Sequence, residues 1–232
     1  MKFRFVRCGY KACVAAIAAA VIAGCGGSES TKSAAPTPAP TPAHMAADID
    51  AFQKNPTVET FEPLHDDILV GSLNNDSQSR IVEGLATHDV DIRVVNATLV
   101  DLATVDLNGA LRWTRVLNIA AKSDPTRGPQ VLKRTAKLTW MLLSLRAGFT
   151  SDFVDLSGMD LRDGSPIVGQ AMNLGNIDFS RTQFSGGIWR RTILTQSKFD
   201  ASTADGTLQC QDCAWGTIRG NGTLSGGSWV TR

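Results

Sequence analysis

The chain has 232 residues, 43% of them hydrophobic, which is enough for one or two folded cores. Its 23 basic and 22 acidic residues give a formal net charge of +1, so it lacks the positive excess that neutralises phosphates, and we expect no nucleic-acid partner. It also contains no nucleophile elbow, phosphate-binding loop or zinc-protease helix, and we therefore expect a protein that is not an enzyme.

The N-terminal segment has the composition of a secretory signal. Its positive residues are Lys2, Arg4, Arg7 and Lys11. Residues 12–23 form an apolar stretch that is too short to span a bilayer comfortably. This pattern predicts export across a membrane.

The end of this segment, Ile22-Ala23-Gly24-Cys25, resembles the lipobox of bacterial lipoproteins. The resemblance implies that residues 1–24 are removed and that Cys25 carries covalent lipid, with no other cofactor and no metal expected. Gly26 stands where Asp usually retains such proteins in the inner membrane. We therefore expect a lipid-anchored protein of the bacterial cell envelope, on the periplasmic side of the outer membrane in a Gram-negative host. The alternative is an ordinary secretory signal with an unmodified Cys25.

The mature chain begins with a spacer and then has an uneven charge distribution. Residues 25–45 are rich in Pro, Ala, Thr and Ser and have too few large apolar residues to fold. Residues 45–109 hold 12 acidic and 3 basic residues, whereas residues 110–150 hold 8 basic residues and one acid. Either the two segments pair with each other, which we favour, or the basic one faces an anionic surface. The candidate contacts for such a surface are Lys133, Arg134 and Lys137.

Residues 46–150 are predicted to be mainly helical. Pro129 at a first helical position and Gly148 beyond the end indicate a helix over residues 129–147, and a second helix is predicted over residues 110–122. The second half of the 129–147 helix is almost wholly apolar, which predicts that it is buried as a cap on the region that follows.

Residues 90–109 fit two patterns. In blocks of five they form one more set of the repeats described below, whereas their apolar residues also follow the 3.6-residue spacing of a helix. We prefer the helix because further helices follow. Within residues 78–147 the pattern also resembles a HEAT-type helical hairpin.

Beyond residue 150, bulky apolar residues recur at every fifth position, an interval that suits neither a helix nor a strand. The interval is unbroken from Leu174 to Phe199 and resumes on both sides after slips. The residues predicted to point inward are Leu156, Leu161, Leu174, Phe179, Phe184, Trp189, Leu194, Phe199, Leu208, Ile218, Leu224 and Trp229.

The blocks VDLSG, MDLRD, MNLGN and IDFSR resemble the pentapeptide-repeat family, over about residues 152–231. The resemblance implies a right-handed quadrilateral β-helix with one block on each side and residues one coil apart stacked, such as Phe179 on Phe199. The expected fold class is α+β: this short solenoid over residues 151–232, capped at its N-terminal end by the helical region. A generic β-rich region is the alternative.

Cys210 and Cys213 are the two cysteines that follow Cys25. Their spacing is that of a thiol redox pair or of half a zinc site. A redox pair needs a helix N-terminus, however, and a zinc site needs two further ligands, whereas His44, His65 and His88 all lie far upstream. A redox or metal site, a structural disulfide and two unreactive thiols all remain open.

One activity implied by the family is excluded. Family members that inhibit DNA gyrase are long acidic solenoids that imitate duplex DNA, whereas residues 151–232 hold 8 acidic and 7 basic residues and the protein is predicted to be anchored to a membrane. We expect instead a non-catalytic lipoprotein that binds a protein or envelope component, with Trp189, Arg190 and Arg191 as candidate contacts. The alternative is a redox or metal-binding enzyme that uses Cys210 and Cys213.

Overall fold

The computed structural model describes residues 42–70, 73–146, 152–164, 171–214, 224–225 and 229–231. These residues belong to one unit, Ala39–Arg232. The signal segment, Cys25 and most of the spacer lie outside the described residues, so the lipid anchor stays a prediction.

In the part of the chain that the structure describes, five helices come first. They are α1 (Pro42–Lys54), α2 (Val58–Val70), α3 (Asn75–Thr87), α4 (Ile92–Ala121) and α5 (Gly128–Leu145). Side chains cap two of them: the Asn74 side chain accepts a hydrogen bond from the Ser77 amide, and the Asp91 side chain accepts one from the Arg93 amide. The predicted helical region is therefore present, and its first helix begins at Pro42, inside the segment predicted as spacer.

Of the two interpretations of residues 90–109, the helix is correct, because most of these residues lie in α4. It is helical on both sides of a kink at Asp106, whose φ of −158° and ψ of 84° are not helical. The Asp106 carboxylate accepts a hydrogen bond from the Gly109 amide at 2.8 Å and so caps the second half of the helix. Val95, Leu99 and Leu102, which follow the 3.6-residue spacing, are buried as predicted, whereas Ile92 in the same spacing is 60% exposed.

Seven short strands follow among the described residues, and every pairing between them is parallel. They are β1 (Val154–Asp155), β2 (Asp160–Leu161), β3 (Ile177–Asp178), β4 (Gln183–Arg190), β5 (Ser202–Gln211), β6 (Leu224–Ser225) and β7 (Trp229–Thr231). Strands β1 and β3 form a two-stranded sheet. The other five strands form a sheet in the order β2-β4-β5-β6, with β7 also paired to β5.

The predicted fold class, a quadrilateral β-helix with a helical cap, is wrong. The described residues form an α+β structure in which helices of 13 to 30 residues predominate. The strands lie in two small open sheets, and β4 and β5 run for 8 and 10 residues through positions where five-residue blocks require a corner. Gly186 and Gly206 stand at those positions, where the pairing of β4 with β5 has a bulge, and both strands continue past it.

The five-residue interval nevertheless shapes the backbone locally. Left-handed residues, with φ between 50° and 62°, recur at Asn176, Arg181, Arg191, Gln196 and Ala201. Such a conformation is unfavourable for residues other than glycine, so each position is held by the pairing on either side of it. The interval therefore sets local turns, although it does not produce the predicted closed tube.

The predicted stacking of residues across neighbouring strands is present. The rings of Phe179 and Phe199 stack with their centroids 5.2 Å apart, next to a parallel bridge between Asp178 and Lys198. Ile218 lies outside the described residues, as do the side chains of Leu224 and Trp229. The other predicted inward residues are all buried: Leu156, Leu161, Leu174, Phe179, Phe184, Trp189, Leu194, Phe199 and Leu208.

Helix α5 packs on the strands through Trp140. Its ring lies 5.9 Å from the Trp189 ring and 6.5 Å from the Phe184 ring, measured between centroids. Leu142 and Leu143 are fully buried beside it. The prediction that the second half of this helix is buried is confirmed.

A polar contact joins helices α2 and α4. His65 Nδ1 lies 2.7 Å from the Asp101 carboxylate, and Asp101 is buried at the helix interface. This hydrogen bond to Asp101 is the main cause that raises the pKa of His65. Protonation of His65 therefore strengthens the contact between the two helices.

We expect Trp140→Ala to lower the free energy of unfolding by about 3–5 kcal/mol, because it leaves a cavity among the aromatic rings. Trp113→Ala is the matched control, since Trp113 is only half-buried on α4 and should cost less. Denaturant unfolding of both variants checks this. Equal losses would contradict a special role for the contact between α5 and the strands.

The His65 contact predicts a pH dependence of stability. Because the pKa of His65 is raised in the folded state, its contribution should be complete below the unfolded pKa of about 6.5 and should decline as the pH rises through the folded value. The stability difference between the wild-type protein and His65→Gln should follow this profile in thermal unfolding. Asp101→Asn should lose the same dependence, and an unchanged profile in either variant would contradict the prediction.

A candidate basic groove between helices α1, α3 and α5

A groove of about 730 Å³ lies between α1, α3 and α5. Helices α1 and α3 approach closely at Gly84, where a Cβ atom would lie 3.1 Å from the Gln53 Cα. Residues from all three helices and from the turn before α5 line the groove. Its charged and histidine side chains are Lys54, Glu83, His88, Arg127 and Arg134.

The groove has a surplus of positive charge. Lys54, Arg127 and Arg134 contribute three cations, and Glu83 is the single acid among the described lining residues. Gln53 Nε2 donates a hydrogen bond to the Glu83 carboxylate at 2.8 Å, so that acid is already partnered.

Arg134 is held in place by the end of α3. Its Nη1 donates a hydrogen bond to the Thr87 carbonyl oxygen at 2.9 Å. A guanidinium has five donors, and this contact occupies one of them. The remaining donors can face a ligand in the groove.

A smaller cavity of about 150 Å³ adjoins the groove and shares His88 and Arg134 with it. Apolar side chains supply most of its wall, and one acid, Asp89, and one further cation, Lys137, also line it. The apolar side chains that line it are Leu85, Val90, Ile92, Val95, Leu138 and Met141. The two cavities together offer positive charge beside a small apolar recess.

The structure separates the basic candidates that the sequence grouped together. Arg134 lines both cavities and Lys137 lines the smaller one, whereas Lys133 is exposed on α5 and lines neither. Arg190 and Arg191 are exposed at the end of β4, outside both linings.

Trp189 is not a surface contact. It is 2% exposed and packs edge-on against Trp140 and Phe184. Its place in the five-residue interval explains the burial. The prediction that Trp189 contacts a partner is therefore corrected.

The uneven charge is not balanced by direct pairing of the two segments. Among the ion pairs within the described residues, none joins residues 45–109 to residues 110–150. Hydrogen bonds from arginines join the two segments instead, from Arg134 to the Thr87 carbonyl oxygen and from Arg112 to the Asn75 side chain. The favoured interpretation of the charge pattern is therefore wrong at the level of ion pairs, and the cations of α5 stay available to an anionic surface.

Cys210 and Cys213 form a disulfide at the end of β5. Cys210 is 1% exposed and Cys213 is half-buried, although the five-residue interval counted from Leu208 places Cys213 at an inward position. The five-residue interval is broken before this point, since the residue that pairs in register with Trp189 is Cys210 and not Cys213. In the described part of the chain, neither cysteine belongs to a group of metal-ligand side chains.

One group with metal-ligand chemistry is present near the start of the folded unit. The ligand atoms of His44, Asp48 and Asp67 lie within 4.8 Å of one another. Burial, followed by the neighbouring Asp48 carboxylate, raises the pKa of Asp67. Sequence reasoning missed this group because it assigned His44 to the spacer, although the four-residue spacing of His44 and Asp48 was an available signal.

One described helix, Ile92–Ala121, is long and apolar enough to cross a membrane by length and composition. Half of its most apolar window is buried inside the protein, as in a core helix.

Comparisons with protein-family models, with curated proteins and with solved structures give no match. The function is therefore argued from the geometry of the chain itself.

Proposed function

We propose that this protein is a lipid-anchored, non-catalytic binding protein of the bacterial cell envelope. The basic groove between α1, α3 and α5 holds an anionic envelope component that carries phosphate or carboxylate groups. The observation that carries the proposal is the set of three cations around one groove whose only described acid is already hydrogen-bonded. The lipobox-like segment supports an envelope location, because a tether would keep the groove near the membrane surface.

The ligand's chemistry follows from the two cavities. Arginine forks suit the planar oxygen pairs of phosphates and carboxylates, and Arg127 and Arg134 both line the groove. The smaller cavity accepts a short apolar group next to the anion, with Lys137 beside it. An anionic headgroup with the first part of an apolar chain has this arrangement of charge and apolar surface.

A vesicle-binding experiment tests the proposal. The mature chain without its acyl group should co-sediment with vesicles that contain anionic phospholipid and not with neutral vesicles. Salt should weaken this binding because it screens the charges. Arg127→Glu with Arg134→Glu should lower the binding constant by about 30-fold or more, at about 1 kcal/mol for each cation near an anionic surface.

Arg190→Glu with Arg191→Glu is the matched control. It makes the same change of charge at two exposed arginines outside the groove. Binding should be nearly unchanged in this variant. Equal losses in the two double variants would show attraction by net charge alone and would contradict a specific groove.

A redox function for Cys210 and Cys213 is the weaker proposal. The disulfide itself favours it, but Cys210 is 1% exposed and the pair lies at the end of a strand, not at a helix N-terminus that would activate a thiol. Replacing both cysteines by Ser should leave vesicle binding intact and reduce stability, as measured by thermal unfolding. A variant that folds normally but loses thiol-disulfide exchange activity would favour the redox function instead.

A further inference from the structure

A second site, separate from the groove, lies where the start of α1 meets the end of α2. His44 Nδ1 is 3.0 Å from one oxygen of Asp48 and 3.6 Å from one oxygen of Asp67. The three ligand atoms lie within 4.8 Å of one another. One imidazole nitrogen and two carboxylate oxygens therefore converge on one small volume.

Rigid helices hold these side chains. His44 and Asp48 are four residues apart on α1 and so lie on one face of the helix. Asp67 comes from the last turns of α2, whose Leu64 and Ile68 are fully buried. The Phe52 and Phe61 rings, with centroids 6.5 Å apart, fix the two helices against each other.

The two carboxylates share His44 as an ion-pair partner, but their facing oxygens make no hydrogen bond. Asp67 is 2% exposed, yet its Oδ2 atom accepts no hydrogen bond, and the same is true of the buried Oδ2 atom of Asp48. These are the two oxygens that face His44. An ionised carboxylate only accepts hydrogen bonds, and one imidazole nitrogen cannot serve both. The site therefore has too little positive charge and too few hydrogen-bond donors for its two carboxylates. The burial of Asp67 excludes water from that side.

We propose that His44, Asp48 and Asp67 bind a divalent transition-metal ion of the Zn²⁺ type. A mixed nitrogen and oxygen ligand set suits Zn²⁺, whereas Mg²⁺ and Ca²⁺ prefer oxygen ligands alone. Two carboxylates neutralise the charge of such an ion, and the ion satisfies both oxygens that make no hydrogen bond. The His44 side chain is 61% exposed, which leaves a path for entry and room for water in the remaining coordination positions.

The ion has a structural consequence at this position. His44 lies in the first turn of α1, where the folded unit begins, and helix ends are the parts that open most readily. An ion shared with Asp67 ties this turn to α2. The first turn of α1 is then fixed just after the predicted spacer.

Cobalt and zinc titrations of the intact mature protein, prepared without an affinity tag and freed of metal with a chelator, test the site. Co²⁺ should give one-to-one binding with visible d–d absorption bands. Zn²⁺ should displace it and should raise the midpoint of thermal unfolding. Mg²⁺ at the same concentration should do neither, and an equal effect of Mg²⁺ would overturn the proposal in favour of general screening of charge.

Three variants separate binding from folding. Asp67→Asn should raise the metal-free unfolding midpoint, because it removes one of two facing charges, and should abolish the further rise with Zn²⁺. His44→Ala alters an exposed side chain and should fold normally without the Co²⁺ spectrum. His88→Ala removes a histidine elsewhere and should retain both responses. A Zn²⁺ response that persists in Asp67→Asn, or one that is lost in His88→Ala, would refute the assignment.

Discussion

The contact on which the rest of the structure depends lies between the fully buried Asn118 side chain of α4 and the backbone of Asp160 in β2. The amide Nδ2 donates to the Asp160 carbonyl oxygen at 3.0 Å, and Oδ1 accepts from the Asp160 amide at 2.7 Å. Strand β2 is an edge strand, so this side chain pairs with backbone groups that an edge leaves open. Nδ2 also donates to the Thr135 hydroxyl of α5 at 2.9 Å. One buried side chain thus joins two helices and a sheet.

This contact fixes helix α5 so that its two sides have different roles. Thr135 and Trp140 pack towards α4 and the strands, whereas Arg134 and Lys137 line the cavities on the other side. A helix that is fixed on one side presents its cations in set positions, and less side-chain freedom is lost when a ligand binds. In the proposed function the helices carry recognition and the strands support it, whereas the sequence predicted contacts at Arg190 and Arg191.

The sequence predicted those features that depend on local spacing. The five-residue interval identified Phe179 and Phe199 as stacked and buried residues, and the 3.6-residue interval made α4 a helix. Prediction from the sequence failed where contacts between distant residues, or single residues, determine the structure. Gly186 lets β4 continue through an expected corner, and nothing local to Asn118 shows that it pairs with a strand edge. The groove was predicted only in part, through Arg134, because its walls come from three helices that are distant in the chain.

Helix α1 connects the two proposed sites. Lys54, its last residue, lines the groove, and His44, near its first residue, belongs to the proposed metal site, so a spacing of ten residues separates them by about 15 Å along the helix. Between them, Ile49 and Phe52 are buried in the core and hold the helix whether or not an ion is bound. Loss of the ion would loosen the first turn and leave the groove intact. The two sites share one helix but are energetically separable, since the buried middle of α1 isolates each end from the other.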